Sequence, residues 1–437
     1  MNRNNNVKTK QVSRRAFMKA SAAASLAAMT FDNTRIFAAG SDKLRVGLIG
    51  CGGRGTGAAK DCVTSSENVE IVAMGDLFRE RIDKSLRNLQ EDVPDKLKVT
   101  EDTCFAGLDA YRKVLGCDVD MVIMASPPHF RPVQFKAAVE AGKHVFMEKP
   151  VAVDPVGVRS VIASSQLAEQ KGLAVVAGTQ RRHQAHYLDV MKRIHNGDIG
   201  KIVSGQCYWN QDALWEKAAA ENWRKKTSEG WSDMEYQCRT WLFFTWLSGD
   251  HIVEQHVHNI DVINWAIGSH PVQCLGMGGR QVRTEPEFGN VFDHFAVEYE
   301  YPDGVRVLSM CRQTPGCSNR IAERVVGTNG SADTDGSNAS IEGPNAYKYE
   351  GESPSPYVQE HFDLIASIRE AKPLNEGKRI AESTLTAIMG RMSAYTGRAI
   401  TWEWVMSSSK LDLTPPSYDF GDLPVAPVAM PGKTQLI

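Results

Sequence analysis

The chain lacks closely spaced cysteine pairs: its nine cysteines, an odd number, are scattered from Cys51 to Cys317. That pattern excludes a disulfide framework and leaves most thiols to act as small buried hydrophobes. A surplus of one charge is missing too. Fifty Lys and Arg face 52 Asp and Glu, for a net charge of −2, so nothing marks a nucleic acid or an anionic membrane as partner. Past the N-terminus no apolar run approaches the about 18 residues of a bilayer span, and no internal repeat is evident. What is present is a hydrophobic fraction of 42% over 437 residues, which is more than one ordinary core needs. Two domains plus tails are expected.

The N-terminal "SRRAFMKASAAASLAAMT" places Arg14 and Arg15 ahead of Phe17 and Lys19 and then a small, apolar run. This order is that of a twin-arginine export signal, occupying 1–40 and cleaved after Gly40. A basic amphipathic arm would need neither the motif nor the alanines. Engagement of the twin-arginine export machinery and a periplasmic or otherwise exported, span-free mature protein are expected.

From residue 41 the pattern turns to alternating strands and helices, which specifies a doubly wound parallel sheet. "VGLIGCGGRGTG" runs from a strand through Gly50, Gly52, Gly53, Arg54 and Gly55 into a helix. In G-x-G-x-x-G the first glycine permits the turn, the second lets a pyrophosphate approach the backbone, and the third lets the helix pack closely. The next strand, "VEIVAMGD", ends at Asp76, placed to bind an adenosine ribose and to repel a 2′-phosphate. NAD is therefore favoured over NADP, although Arg79 is near; a strand-end aspartate capping the next helix is the plainer alternative. Ser126, Pro127 and His129 lie at a further strand end, and Glu148, Lys149 and Pro150 at another. These are the positions where such sheets bind ligands. Lys149 can hold a substrate hydroxyl and stabilise the forming alkoxide, against the simpler reading of a solvated strand-end lysine.

"GLIGCGGRG", "EKP" and residues 251–265 together resemble the Gfo/Idh/MocA family of nicotinamide-dependent oxidoreductases, across roughly residues 43 to 400. The resemblance implies a Rossmann domain, at 41–178, joined to a substrate-binding and catalytic α/β domain with a large open, mostly antiparallel sheet, at 179–405. It aligns the family's D-x-G-x-H-x-x-D with Glu254, His256, His258 and Asp261, giving His258 an acid/base role and Lys149 that of the family lysine. Glu254 and His256 depart from the pattern, the second replacing a glycine.

If "HIVEQHVHNID" and the residues after it form one helix, His251, Glu254, His258, Asp261 and Trp265 fall within an arc of roughly 80°, and His256 points away. His251 and His258, about 10.5 Å apart along such a helix, cannot share a metal ion, and no metal site is expected. A Glu254–His258 contact at i, i+4 would fix the histidine tautomer. His256 reads best as a packing residue.

Upstream, a stretch dense in aromatics and arginines contains Trp231, Tyr236, Arg239, Trp241 and Trp246. It suits either a sugar pocket or a core. Arg181, Arg182 and His183 follow the last Rossmann strand, and Asp293 and His294 sit on a strand before the "YPDG" hairpin signal. Arg181, His183, Arg239, Trp241, Asp261 and His294 are the substrate-binding candidates. Residues 406–437 read as a proline-rich extended arm, available to cover a neighbouring subunit, and a homo-oligomer is expected.

The expected reaction is hydride transfer between NAD and a carbohydrate secondary alcohol, with His258 as base, Glu254 orienting it and Lys149 stabilising charge. Export favours a retained, recycled cofactor. A redox-neutral alternative resembles NAD-dependent glycosidases: transient C3 oxidation acidifies C2–H and permits elimination at C1, with His183 or His294 as second base. A non-catalytic sugar-binding or assembly protein on a Rossmann scaffold is the alternative of another class.

Overall fold

The first sheet forms as the alternating pattern requires and the second as the resemblance implies, in a computed structural model that describes residues 43–437; the expected export signal lies outside the described residues. Strands β1 (Leu44–Ile49), β2 (Val69–Asp76), β3 (Cys104–Ala106), β4 (Met121–Met124), β5 (His144–Met147) and β6 (Val175–Ala177) pair in parallel in the order β3-β2-β1-β4-β5-β6. All four residues of β4, Met-Val-Ile-Met, are buried, as expected of a strand covered on both faces. Strand order reverses between β1 and β4, and the crevice at that point is where a ligand meets the C-terminal strand ends.

The second sheet has nine strands: β7 (Ile202–Gln211), β8 (Gln273–Gly279), β9 (His294–Glu300), β10 (Arg306–Gln313), β11 (Arg320–Gly327), β12 (Ser331–Asp335), β13 (Ala339–Glu342), β14 (Tyr347–Lys348) and β15 (Ile400–Thr401). They run in the order β14-β13-β12-β11-β7-β10-β9-β8-β15. Every pairing is antiparallel except β7 with β10. Along β10, Val307, Ser309, Cys311 and Gln313 are buried, whereas Leu308 and Met310 are exposed. The period of two thus gives the sheet one packed face.

Helix α1 (Gly53–Ser65) follows β1. The single helix expected over 251–265 is instead two, α2 (His251–Glu254) and α3 (Val257–Ile267). The chain enters α2 through Gly249 and Asp250, both left-handed at φ 77° and 70°. It leaves with His256 N bonding His251 O at 3.1 Å, one residue beyond the α-helical partner. The cause is packing: the fully buried His256 ring lies against the parallel β7–β10 pair, with Nε2 at 2.7 Å from Ser309 Oγ and 3.7 Å from Cys207 Sγ.

Two later helices, α4 (Pro356–Arg369) and α5 (Gly377–Thr396), join the halves. Leu364, Ile365 and Ile368 of α4 belong to the Rossmann core, so chain order alone does not separate the two cores. All nine cysteines are free, seven of them buried. The C-terminal arm is without regular structure after residue 407 and packs on its own chain: Leu413 N donates to Asp154 at 2.9 Å and Gly432 N to Thr396 O at 2.9 Å.

Candidate active site and dinucleotide pocket

The glycine turn is built for a close approach. A Cβ on Gly50 would stand 2.4 Å from Ser126 N, and one on Gly55 1.8 Å from Gly50 O. Gly52 and Gly53, by contrast, have nothing within 4 Å of that position. No side chain caps α1, so its first-turn N–H groups are free for an anion. Beside the turn, Asp76 Oδ2 accepts from Cys51 N at 2.7 Å and Oδ1 from Phe78 N at 2.9 Å. Burial pushes this carboxyl upward, against the pull of Arg81 and the two backbone bonds. Gly50, Asp76, Phe78, Ser126, Pro127 and Phe130 line one pocket with Cys238 of the second domain. Open space over two glycines, an uncapped helix and a carboxylate at the end of β2 together fit a dinucleotide.

Three expected cofactor contacts are used otherwise. Glu148 Oε1 meets Arg54 Nε at 2.9 Å, so these two side chains engage each other. His129 does not line the pocket; its Nε2 meets the Tyr418 hydroxyl at 2.7 Å, and burial drops its pKa to about 4.

Lys149 crosses to the second domain. Its Nζ donates to the Glu254 main-chain oxygen at 2.6 Å and to Glu254 Oε1 at 2.9 Å. The expectation that Glu254 orients His258 is thereby corrected, because the helix break turns Glu254 to the lysine. His258 stacks on Trp209 at 5.7 Å, with 22° between planes. Its Nδ1 is buried without a partner, which leaves Nε2 as the ring atom available to a ligand. Burial, reinforced by Lys149 and Arg181, holds its pKa well below the usual histidine value. Arg181 Nη1 is anchored on buried Glu323 at 2.5 Å, and its guanidinium lies 5.6 Å from the Trp209 ring. His258 and Arg181 therefore both lie against Trp209, and the Lys149–Glu254 pair is within electrostatic reach of His258.

The remaining substrate candidates sit elsewhere. Asp261 is buried against Arg182 (2.7 Å), Arg379 (3.2 Å) and Ser383 (2.7 Å), which hold it well below the usual carboxylate range despite burial; it is an anchor between helices. Arg239 pairs with Glu80 at 2.5 Å and lies over Phe78 at 3.8 Å, at the dinucleotide pocket. Trp241 packs edge-on against Trp215 at 5.8 Å beside an apolar cluster. His183 Nδ1 bonds Asp363 at 2.6 Å, with Glu376 at 3.6 Å from Nε2. Burial opposes its charge, but the two carboxylates outweigh burial and lift it to about 9. His294 meets Asp293 at 2.7 Å, with its side chain 43% exposed.

Trp209 and Arg131 were not foreseen. Alternation along "IVSGQCYWNQ" would have placed Cys207 and Trp209 on one face. Buried Arg131, donating to Met124 O at 3.2 Å and Ser126 O at 2.7 Å, steadies the end of β4; no local pattern marks it. Among the described residues no group of three His, Cys, Asp or Glu could hold a metal ion, and no helix is long and apolar enough to cross a membrane.

A parallel sheet with this glycine turn and a carboxylate at the end of β2 is the architecture of a dinucleotide-binding domain. Residues 44–179 match an oxidoreductase family with an NAD-binding Rossmann fold, residues 187–333 match the GFO/IDH/MocA C-terminal domain, and the chain belongs to the Gfo/Idh/MocA family. It is 24% identical over 294 residues to scyllo-inositol 2-dehydrogenase (NAD(+)) of Bacillus subtilis (strain 168), covering 66% of this chain and 73% of that one. A glycosyl hydrolase family 109 protein 2 of Shewanella sp. (strain ANA-3) is 28% identical over 179 residues, 40% of this chain and 37% of that protein. The crystal structure of aldose-aldose oxidoreductase from Caulobacter crescentus complexed with glycerol shares the fold, with TM-score 0.64 and 18% identity over 82% of this chain and 99% of that one.

Proposed function

We propose that the protein is exported, oxidises a secondary alcohol of a sugar or glycoside with NAD, and keeps its cofactor through repeated turnovers. The observation that carries this reading is that the Lys149–Glu254 pair lies within electrostatic reach of His258, which itself stacks on Trp209. Bound NAD supplies the two-electron acceptor for the carbinol hydrogen. The Lys149 ammonium, held by Glu254, donates to the substrate hydroxyl oxygen and stabilises its charge as the carbonyl forms. His258 Nε2 takes the hydroxyl proton, which its uncharged ring is free to accept. Trp209 offers a flat apolar face to a pyranose. Asp76 at the pocket supports NAD over NADP, because a 2′-phosphate would meet a carboxylate. The twin-arginine motif supports export after folding, and a retained cofactor then requires a cycle that restores it in place.

The likeness to a glycosyl hydrolase family 109 protein favours a second reading, glycoside cleavage through transient C3 oxidation. Neither expected extra base suits it as placed: carboxylates keep His183 protonated, and His294, paired with Asp293, is out of phase with Trp209 across β10 and so on the other face of the sheet. The test is incubation of the NAD-loaded protein with a panel of sugars and glycosides, following NADH absorbance and released aglycone together. Absorbance change alone supports dehydrogenation, and aglycone without net change supports cleavage. Silence across the panel overturns both and leaves a binding protein.

A further inference from the structure

The dinucleotide pocket is walled by two distant parts of the chain, and a third packs against its wall residues. Phe78 and Phe130 come from the Rossmann domain, and Cys238 from the helix Asp233–Arg239 of the second domain. The third part is the C-terminal arm: Phe420 stacks on Phe78 at 6.1 Å, and Tyr418 lies 5.9 Å from Phe130 while bonding His129. Arm and helix are also tied to each other. Gln237 Nε2 donates to Leu423 O at 2.6 Å, Met234 N to Gly421 O at 3.2 Å, and Leu423 N to Asp233 at 3.2 Å. The arm is fixed on either side of these contacts, at Leu413 and at Gly432. It is therefore a segment held at two points, not a free tail.

We propose that residues 413–432 are a strap that retains the bound dinucleotide. Phe78 is in contact with both the Arg239 guanidinium, 3.8 Å from its ring, and Phe420, so displacing this wall residue also disturbs its contact with the strap. Because the strap's aromatic contacts lie behind Phe78 and Phe130, it slows cofactor loss without touching the reacting atoms. The inference deepens the retained-cofactor reading and rests on NAD occupying this pocket.

The experiment is a dissociation measurement on the full chain loaded with NAD, comparing wild type with Phe420→Ala and Tyr418→Phe. The expected result is NAD release faster on the order of tenfold to a hundredfold for Phe420→Ala, with turnover at saturating NAD unchanged. Tyr418→Phe, which removes only a hydroxyl, gives a smaller acceleration and carries the test if Phe420→Ala fails to fold. Release within about twofold of wild type in both folded variants overturns the strap, as does a wild-type protein that loses NAD on desalting. Accelerated release in the variants without any reaction on the sugar panel upholds the strap and overturns the proposed function. Failure of the wild type to bind NAD overturns both.

Discussion

Replacing Glu254 by glutamine removes the carboxylate 2.9 Å from Lys149 Nζ while the main-chain oxygen at 2.6 Å remains. Both side chains are only 13% exposed. Breaking a buried pair from one side costs about 3–5 kcal/mol, and the remaining carbonyl with some solvent access lowers that here to about 1–3 kcal/mol. Lys149→Met strands the carboxylate instead and destabilises by a similar amount. The double variant strands no charge, so urea denaturation of all four proteins is expected to give a coupling energy of about 1–2 kcal/mol. Activity follows a different rule. Lys149→Met lowers kcat/KM by roughly 10²–10³-fold, and the second substitution does not restore it. A coupling energy within about 0.3 kcal/mol of zero refutes the stabilising pair, and wild-type turnover in Lys149→Met refutes the catalytic role.

His258→Gln keeps a polar side chain but cannot take a proton at neutral pH; kcat should fall by roughly 10²–10⁴-fold with NAD binding unchanged, and an unchanged kcat removes His258 from the mechanism. His183 has its pKa raised to about 9 in the fold from an unfolded value near 6.5. Its contribution to stability is therefore complete below pH 6.5 and lost as pH rises through about 9. Thermal unfolding across that window should decline with pH in the wild type, and less so in His183→Gln. Gly55→Ala forces a Cβ onto Gly50 O and should disrupt the turn itself, whereas Gly52→Ala meets open space. The second variant should fold normally and lose only NAD affinity, by about tenfold or more in calorimetry.

The glycine turn, Asp76 and Lys149 were legible in the sequence because each is fixed by the strand beside it. Parallel strands and their end residues are local features, and β2 falls where alternation predicts it. The helix bearing His258 was harder, since 3.6-residue periodicity assumes an unbroken helix and the break depends on the His256 ring lying against Ser309, 53 residues away. Arg239 and His129 were misplaced for a related reason. Their partners, Glu80 and Tyr418, lie 159 and 289 residues distant, beyond any local pattern. Aromatic density upstream of α2 marked an important region without telling which wall it forms, and its tryptophans are divided among several clusters.

The parallel pairing of β7 with β10 bears on how the chain is made. Ser204 of β7 pairs with Arg306 on one side and Val326 on the other, so both neighbours of this central strand emerge about a hundred residues after it. At a synthesis rate of about 5–20 residues per second, β7 waits on the order of 5–20 s with both edges bare. Such edges invite pairing with other chains. The newborn protein therefore passes through an interval in which its most central strand is its most vulnerable, and the interval ends only when β10 and β11 arrive.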